Sequence, residues 1–252
     1  MKPKVAFFDF ASCEGCQLQV ANLEEAVIDL VGAVEVVAFR EVMKESSEDY
    51  DIAFIEGSIQ RPMDEVRLKE IRENASLLIA FGACACLGGV NKMRNQWPDQ
   101  ESRNEVYSIA DPAVMENNPY FDTYPTKSVD EVVKVDYYIH GCPIDRAEFG
   151  KIVTALLMGK EPNVPNYPVC VECKKNENIC VFDLGKFCMG PITRAGCNAV
   201  CTTNGNECEG CRGFIDHPHI EAEKGVMEKY GLSVEDMMGR FNVFNYKREE
   251  SQ

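Results

Sequence analysis

Residues 4–16 read KVAFFDFASCEGC: a short apolar run that breaks off into a loop carrying Cys13 and Cys16. The run at 4–10 has the length and composition of a buried β-strand. The same arrangement recurs along the first 160 residues. Residues 33–39, AVEVVAF, and 51–55, DIAFI, read as strands two and three, the latter ending at Glu56-Gly57-Ser58. Residues 77–81, LLIAF, end at Gly82-Ala83-Cys84-Ala85-Cys86-Leu87-Gly88-Gly89, and 135–139, VDYYI, end at His140-Gly141-Cys142-Pro143. Helical patterns fill the gaps. Val20, Leu23, Val27 and Leu30 make one apolar face, and Pro62 opens a helix that runs to about Asn74. Asp145 is placed as an N-cap with Glu148 as its capping-box partner, ahead of Phe149, Ile152, Val153, Leu156 and Leu157. Short apolar strands alternating with helices predict an α/β doubly wound parallel sheet.

Open sheets of that kind bind ligands outside the carboxyl ends of their strands. Cys13 and Cys16 follow strand one, Glu56 follows strand three, Cys84 and Cys86 follow strand four, and Cys142 follows strand five. One edge of the sheet can therefore gather four thiols. No GxxxxGK[ST] and no GxGxxG follows a strand, so this chain shows no nucleotide or flavin cradle.

The run from Cys170 to Cys211 holds eight of the 13 cysteines and no histidine. It divides into Cys170, Cys173, Cys180, Cys188 and Cys197, Cys201, Cys208, Cys211. C-x2-C pairs let two sulfurs on one turn reach one metal centre. Spacing alone leaves structural zinc and iron–sulfur clusters both open. Disulfides fit poorly. The opening residues lack a secretory signal, no stretch approaches the ~18 apolar residues of a membrane span, and a cytoplasmic chain keeps its thiols reduced. A net charge of −15 argues against nucleic acid as a partner.

Residues 91–130 are polar and broken by prolines, which predicts an irregular insertion with one short helix. Pro162, Pro165 and Pro168 mark a linker. The expected division is 1–161 for the sheet domain and 162–252 for a metal-held domain of little apolar content, with two short tail helices at about 219–230 and 233–239. His140 reads as a packed strand-end residue, and His217 and His219 as surface residues.

Taken together these motifs resemble the small subunits of [NiFe] hydrogenases. The matching residues are Cys13-Glu14-Gly15-Cys16, Glu56-Gly57-Ser58, Gly82-Ala83-Cys84-Ala85 with Gly88-Gly89, Gly141-Cys142-Pro143, and the Cys170–Cys211 run with its Gly190-Pro191-Ile192-Thr193-Arg194-Ala195-Gly196-Cys197. The likeness spans about residues 4–214 and points to the cytosolic, NAD(P)-linked kind, such as sulfhydrogenase delta subunits. It implies a flavodoxin-like first domain and three [4Fe-4S] clusters. The proximal cluster would sit on Cys13, Cys16, Cys84 and Cys142, the distal on Cys170, Cys173, Cys180 and Cys188, and the medial on Cys197, Cys201, Cys208 and Cys211. Cys86 is then spare, although Cys84 and Cys86 can be exchanged. Periplasmic members place histidine at the position of Cys170 and proline near that of Cys201, and this chain has thiols at both. The resemblance further implies a large subunit that splits H2, and a flavin- or iron–sulfur-bearing diaphorase partner. Glu56 is expected at the large-subunit contact. Proton handling and structural hydrogen bonding both stand open for Glu14 and Glu56. A complex I-like single-cluster subunit and a zinc-stabilised binding module are the rival readings.

Overall fold

The computed structural model describes residues 2–23, 32–107 and 118–245. Five parallel strands form one sheet in the order β2-β1-β3-β4-β5. They are β1 (Lys4–Asp9), β2 (Glu35–Phe39), β3 (Ile52–Glu56), β4 (Leu77–Phe81) and β5 (Tyr137–Ile139). This is the flavodoxin-like order, with its switch point between β1 and β3. Register pairs Phe7 with Phe54 and Asp9 with Glu56. The cysteine-bearing loops therefore leave the same edge.

The strands read as nearly unbroken apolar runs because helices cover both faces. Alternation sorts their side chains. Val5, Phe7, Phe54, Ile79 and Phe81 face one side, where Phe149, Ile152 and Val153 of helix α5 (Arg146–Leu157) pack on them. Phe7 stacks on Phe54 with ring centroids 4.8 Å apart. Ala6, Ala53, Ile55, Leu78 and Ala80 face the other side, under Leu68 and Ile71 of α2 (Pro62–Asn74). Each fully buried large side chain contributes roughly 1.5–3 kcal/mol.

Helix α1 (Gly15–Ala21) is shorter than the apolar pattern through Leu30, and Val27 and Leu30 lie outside the described residues. Cys84 and Cys86 sit on a short helix, α3 (Ala83–Leu87), rather than in a loop. The described part of the insertion is more ordered than its prolines imply. It holds a 3-10 turn at Val90–Gln96, α4 (Asp99–Val106) and a second 3-10 turn at Val129–Glu131. Side-chain hydrogen bonds account for the order: Asn95 Nδ2 donates to the Thr126 carbonyl at 2.9 Å, and Asn91 Nδ2 to the Ala11 carbonyl at 2.8 Å.

The second part carries α6 (Val169–Lys175), a 3-10 turn at Val181–Leu184, α7 (Val200–Thr203), α8 (Ile220–Lys229) and α9 (Val234–Asn245). It has more of a core than the composition of its cysteine run implies. Val169, Phe182, Phe187, Met189 and Ile192 form a buried cluster, which Met227 of α8 and Phe241 of α9 complete. The tail thus belongs to this core. Helix α9 continues past Gly239 because one helical glycine costs only about 1 kcal/mol, and the buried Phe241 and Phe244 lie beyond it. No helix among the described residues is long and apolar enough to cross a membrane.

Candidate functional site

Four thiols come together at the carboxyl edge of the sheet. Cys16 lies in the first turn of α1 and is buried, Cys84 lies on α3, and Cys13 and Cys142 stand exposed on the loops after β1 and β5. Gly82, with φ +87°, turns the chain between β4 and α3, and a Cβ there would lie 2.4 Å from Cys16 Sγ. Only glycine lets the two loops approach so closely. A Cβ on Gly15 would lie 3.3 Å from Cys13 Sγ and 3.9 Å from Pro143 Cβ. Burial pushes the Cys84 thiol up to about 12, with Cys142, Cys13 and Glu56 adding to the rise. Burial, then Glu56, raises Cys16 further still. Such thiols stay protonated unless a bound cation takes them as thiolates. Cys86 is apart from this group. Its Sγ lies 3.4 Å from the Ala80 carbonyl and 3.5 Å from the Ile139 carbonyl, inside the apolar core.

Glu56 anchors the first cysteine loop. Its carboxylate accepts from the Cys16 N–H at 3.0 Å and the Gln17 N–H at 2.9 Å, at the start of α1. It is 2 % exposed. Burial raises its pKa, and the two backbone N–H groups oppose the rise. Glu14 takes the left-handed conformation, φ 59°, and pairs with Arg40 at 2.6 Å. A hydrogen bond shared with Glu41 raises the Glu14 pKa, with burial adding and Arg40 opposing.

The remaining eight cysteines fall into two groups. Cys170, Cys173, Cys180 and Cys188 line one cavity of about 320 Å³, closed in part by Gly190, Pro191 and Tyr230. The Gly190 N–H donates to Cys188 Sγ at 3.4 Å, and a Cβ on Gly190 would lie 3.5 Å from Cys170 Sγ. Burial raises Cys170 to about 12 and Cys188 to about 11. Cys197, Cys201, Cys208 and Cys211 line a second cavity of about 760 Å³, and Cys142 lines it too. Burial raises Cys211 to about 12; the Cys142 backbone holds that rise down, and the Cys197 and Cys142 sulfurs add to it. Cys208 is raised by burial and then by Cys188. The 197–211 group thus lies next to both of the others, in a row: Cys142 lines its cavity, and a Cβ on Gly190 would lie 3.2 Å from Cys188 Sγ and 3.9 Å from Cys208 Cβ. Among the described residues no three His, Cys, Asp or Glu side chains converge tightly enough to hold a single metal ion.

Several polar residues here escape a reading of sequence. Glu148 does not complete a capping box. Asp145 accepts from the Glu148 N–H at 2.8 Å, but the Glu148 carboxylate turns instead to Arg212 at 2.6 Å. Arg212 is 1 % exposed. Glu223 on α8 is buried near Cys170 and Cys188 with neither oxygen hydrogen-bonded. Nothing local marks these positions, because their partners lie far away in the chain. His140 is packed, as expected; burial, then Arg194 and Arg212, push it down to about 3.

A family model described as NADH ubiquinone oxidoreductase, 20 Kd subunit, matches residues 13–156. The chain belongs to this family and, within it, to the hydrogenase small subunits. It is similar to Sulfhydrogenase 2 subunit delta of Pyrococcus furiosus, at 35% identity over 83% of this chain and 86% of that one. It is also similar to a subunit of the vhu F420-non-reducing hydrogenase of Methanocaldococcus jannaschii, at 33% identity over 84% of this chain and 82% of that one. Among solved structures it matches a chain of NAD+-reducing [NiFe]-hydrogenase in the H2-reduced state, with TM-score 0.58 and 29% identity. That match covers 96% of the other chain but 66% of this one. The protein is part of a hydrogenase.

Proposed function

We propose that this chain is the electron-transfer subunit of a [NiFe] hydrogenase, and that its twelve grouped cysteines hold three [4Fe-4S] clusters. The observation that carries the reading is the row of three thiol groups. The donor set fits: each group is all sulfur, and two of the groups line cavities rather than meeting at a point. A single zinc would need four ligands at about 2.3 Å from one centre. A [4Fe-4S] cluster, when bound, supplies reversible one-electron transfer at a potential set by charge, hydrogen bonds and burial.

The chain's own residues supply the rest. Cys13, Cys16, Cys84 and Cys142 would hold the proximal cluster, on the rim offered to a large subunit. Cys142 also borders the cavity of the 197–211 group, which supports the medial role for Cys197, Cys201, Cys208 and Cys211. Cys188 and Cys208 approach the same face of Gly190, which sets the 170–188 group beside the 197–211 group and supports the distal role for Cys170, Cys173, Cys180 and Cys188. Glu56 orients Cys16 through the α1 backbone, so a structural role for it is favoured over proton transfer. H2 cleavage is assigned to the large subunit. An NAD(P)-reducing diaphorase is the proposed acceptor, supported by the likeness to the NAD+-reducing enzyme. The two thiol groups beyond residue 156 favour this over a single-cluster complex I-like subunit.

The test is Cys16→Ser in the assembled complex. H2-dependent dye reduction should fall at least tenfold, while about eight irons remain on the other two groups. Unchanged activity would remove the proximal assignment. Purifying the native complex should recover a large hydrogenase subunit and a flavin- or iron–sulfur-bearing partner with this chain.

A further inference from the structure

Arg212 is among the largest fully buried side chains of the protein. It directly follows Cys211, and all three arms of its guanidinium are engaged. Nε donates to the Ala195 carbonyl at 2.8 Å, one terminal nitrogen to the His140 carbonyl at 2.7 Å, and the other to Glu148 Oε1 at 2.6 Å. His140 directly follows β5, two residues before Cys142. Glu148 lies in the first turn of α5, six residues after it. Ala195 lies two residues before Cys197. One side chain therefore ties the segments on either side of Cys142 to the segments that carry Cys197 and Cys211.

The surroundings are shaped to hold that charge. Gly196 has φ +118°, and a Cβ there would lie 2.3 Å from the Arg212 nitrogen and 2.6 Å from Glu148 Oε1. No other residue fits between Cys197 and the ion pair. Glu148 Oε2 is buried without a hydrogen-bond partner, so this carboxylate depends on the guanidinium. Arg212 directly follows Cys211 and its Nε holds the Ala195 carbonyl, two residues before Cys197, so the cation sits beside both thiol-bearing segments. Buried charges are weakly screened, so a cation at this position favours the more negative state of a neighbouring redox centre. Its carboxylate partner opposes that effect.

We propose that the buried Arg212–Glu148 pair positions the 197–211 thiol group against the Cys142 loop and sets the reduction potential of the centre bound there. Arg212 raises that potential, and Glu148 partly cancels the rise. This rests on the cluster assignment above.

The experiment is a redox titration of the purified complex, followed by electron paramagnetic resonance, with iron and sulfide measured on the same samples. The signal that Cys208→Ser removes identifies the 197–211 centre. Arg212→Gln should shift its potential to more negative values, and Glu148→Gln to more positive ones. Arg212→Lys, which keeps the charge, should lie between wild type and Arg212→Gln. A purely structural pair would move both glutamine variants the same way, since each loosens the same contact. Shifts of one sign, or none, with iron content intact, would overturn the proposal. If Arg212→Gln does not assemble, Glu148→Gln decides by its sign alone. A wild-type complex with no centre on the 197–211 group would instead overturn the cluster assignment itself.

Discussion

Glu56 and Gly82 do unlike jobs for the same sulfur. Glu56 satisfies two of the N–H groups that any helix start leaves open. Glu56→Ala would bury those donors unpaired, at a cost on the order of 2 kcal/mol. Glu56→Gln keeps one acceptor oxygen and should lose less. Denaturant unfolding of the two variants should rank them in that order, and equal midpoints with wild type would count against the anchoring role. Gly82→Ala acts through space. The added methyl meets Cys16 Sγ, and the backbone conformation is one that alanine rarely takes. About four irons should be missing from the purified variant, with the other two thiol groups still loaded. Full iron content would show that Cys16 and Gly82 are less tightly opposed than the geometry has them.

At the scale of elements, helix α8 carries the clearest acid–base consequence. Burial alone raises Glu223 from its ordinary 4.5 to about 8. Folded protein therefore binds more protons than unfolded protein between those values, and stability should fall as pH rises through that window. Above about 8 the loss is complete. Glu223→Gln should flatten the stability profile from about pH 5 to 8, as read from denaturant midpoints; an unaltered slope would place the titration elsewhere. The strands were legible because both faces of a parallel sheet are covered, so KVAFFDF and LLIAF carry their own signal. Element ends were less so. Cys84 and Cys86 fall on α3, although the glycines on either side point to a loop. Helix α9 outlasts Gly239 because of Phe241 and Phe244, whose packing partners no local pattern reveals. That Cys13, Cys16, Cys84 and Cys142 leave one edge follows from a parallel sheet, whereas the other eight cysteines could be divided by spacing alone. The Arg212–Glu148 pair could not be foreseen, since it joins residues 64 positions apart.

For the molecule as a whole, three thiol groups lead from the edge of the sheet into the second part, where Cys173, Cys188 and Cys208 are buried and Cys201 is exposed. A core that includes Met227 and Phe241 holds the far group in place. The net charge of −15 bears on partners and solubility rather than on this arrangement. If the row of sulfurs holds inorganic clusters, metal and acid-labile sulfide analysis of the purified protein will find them. The protein should be brown, with about twelve irons and as many sulfides per chain. Colourless protein carrying two or three zinc ions and no sulfide would contradict the cluster assignment.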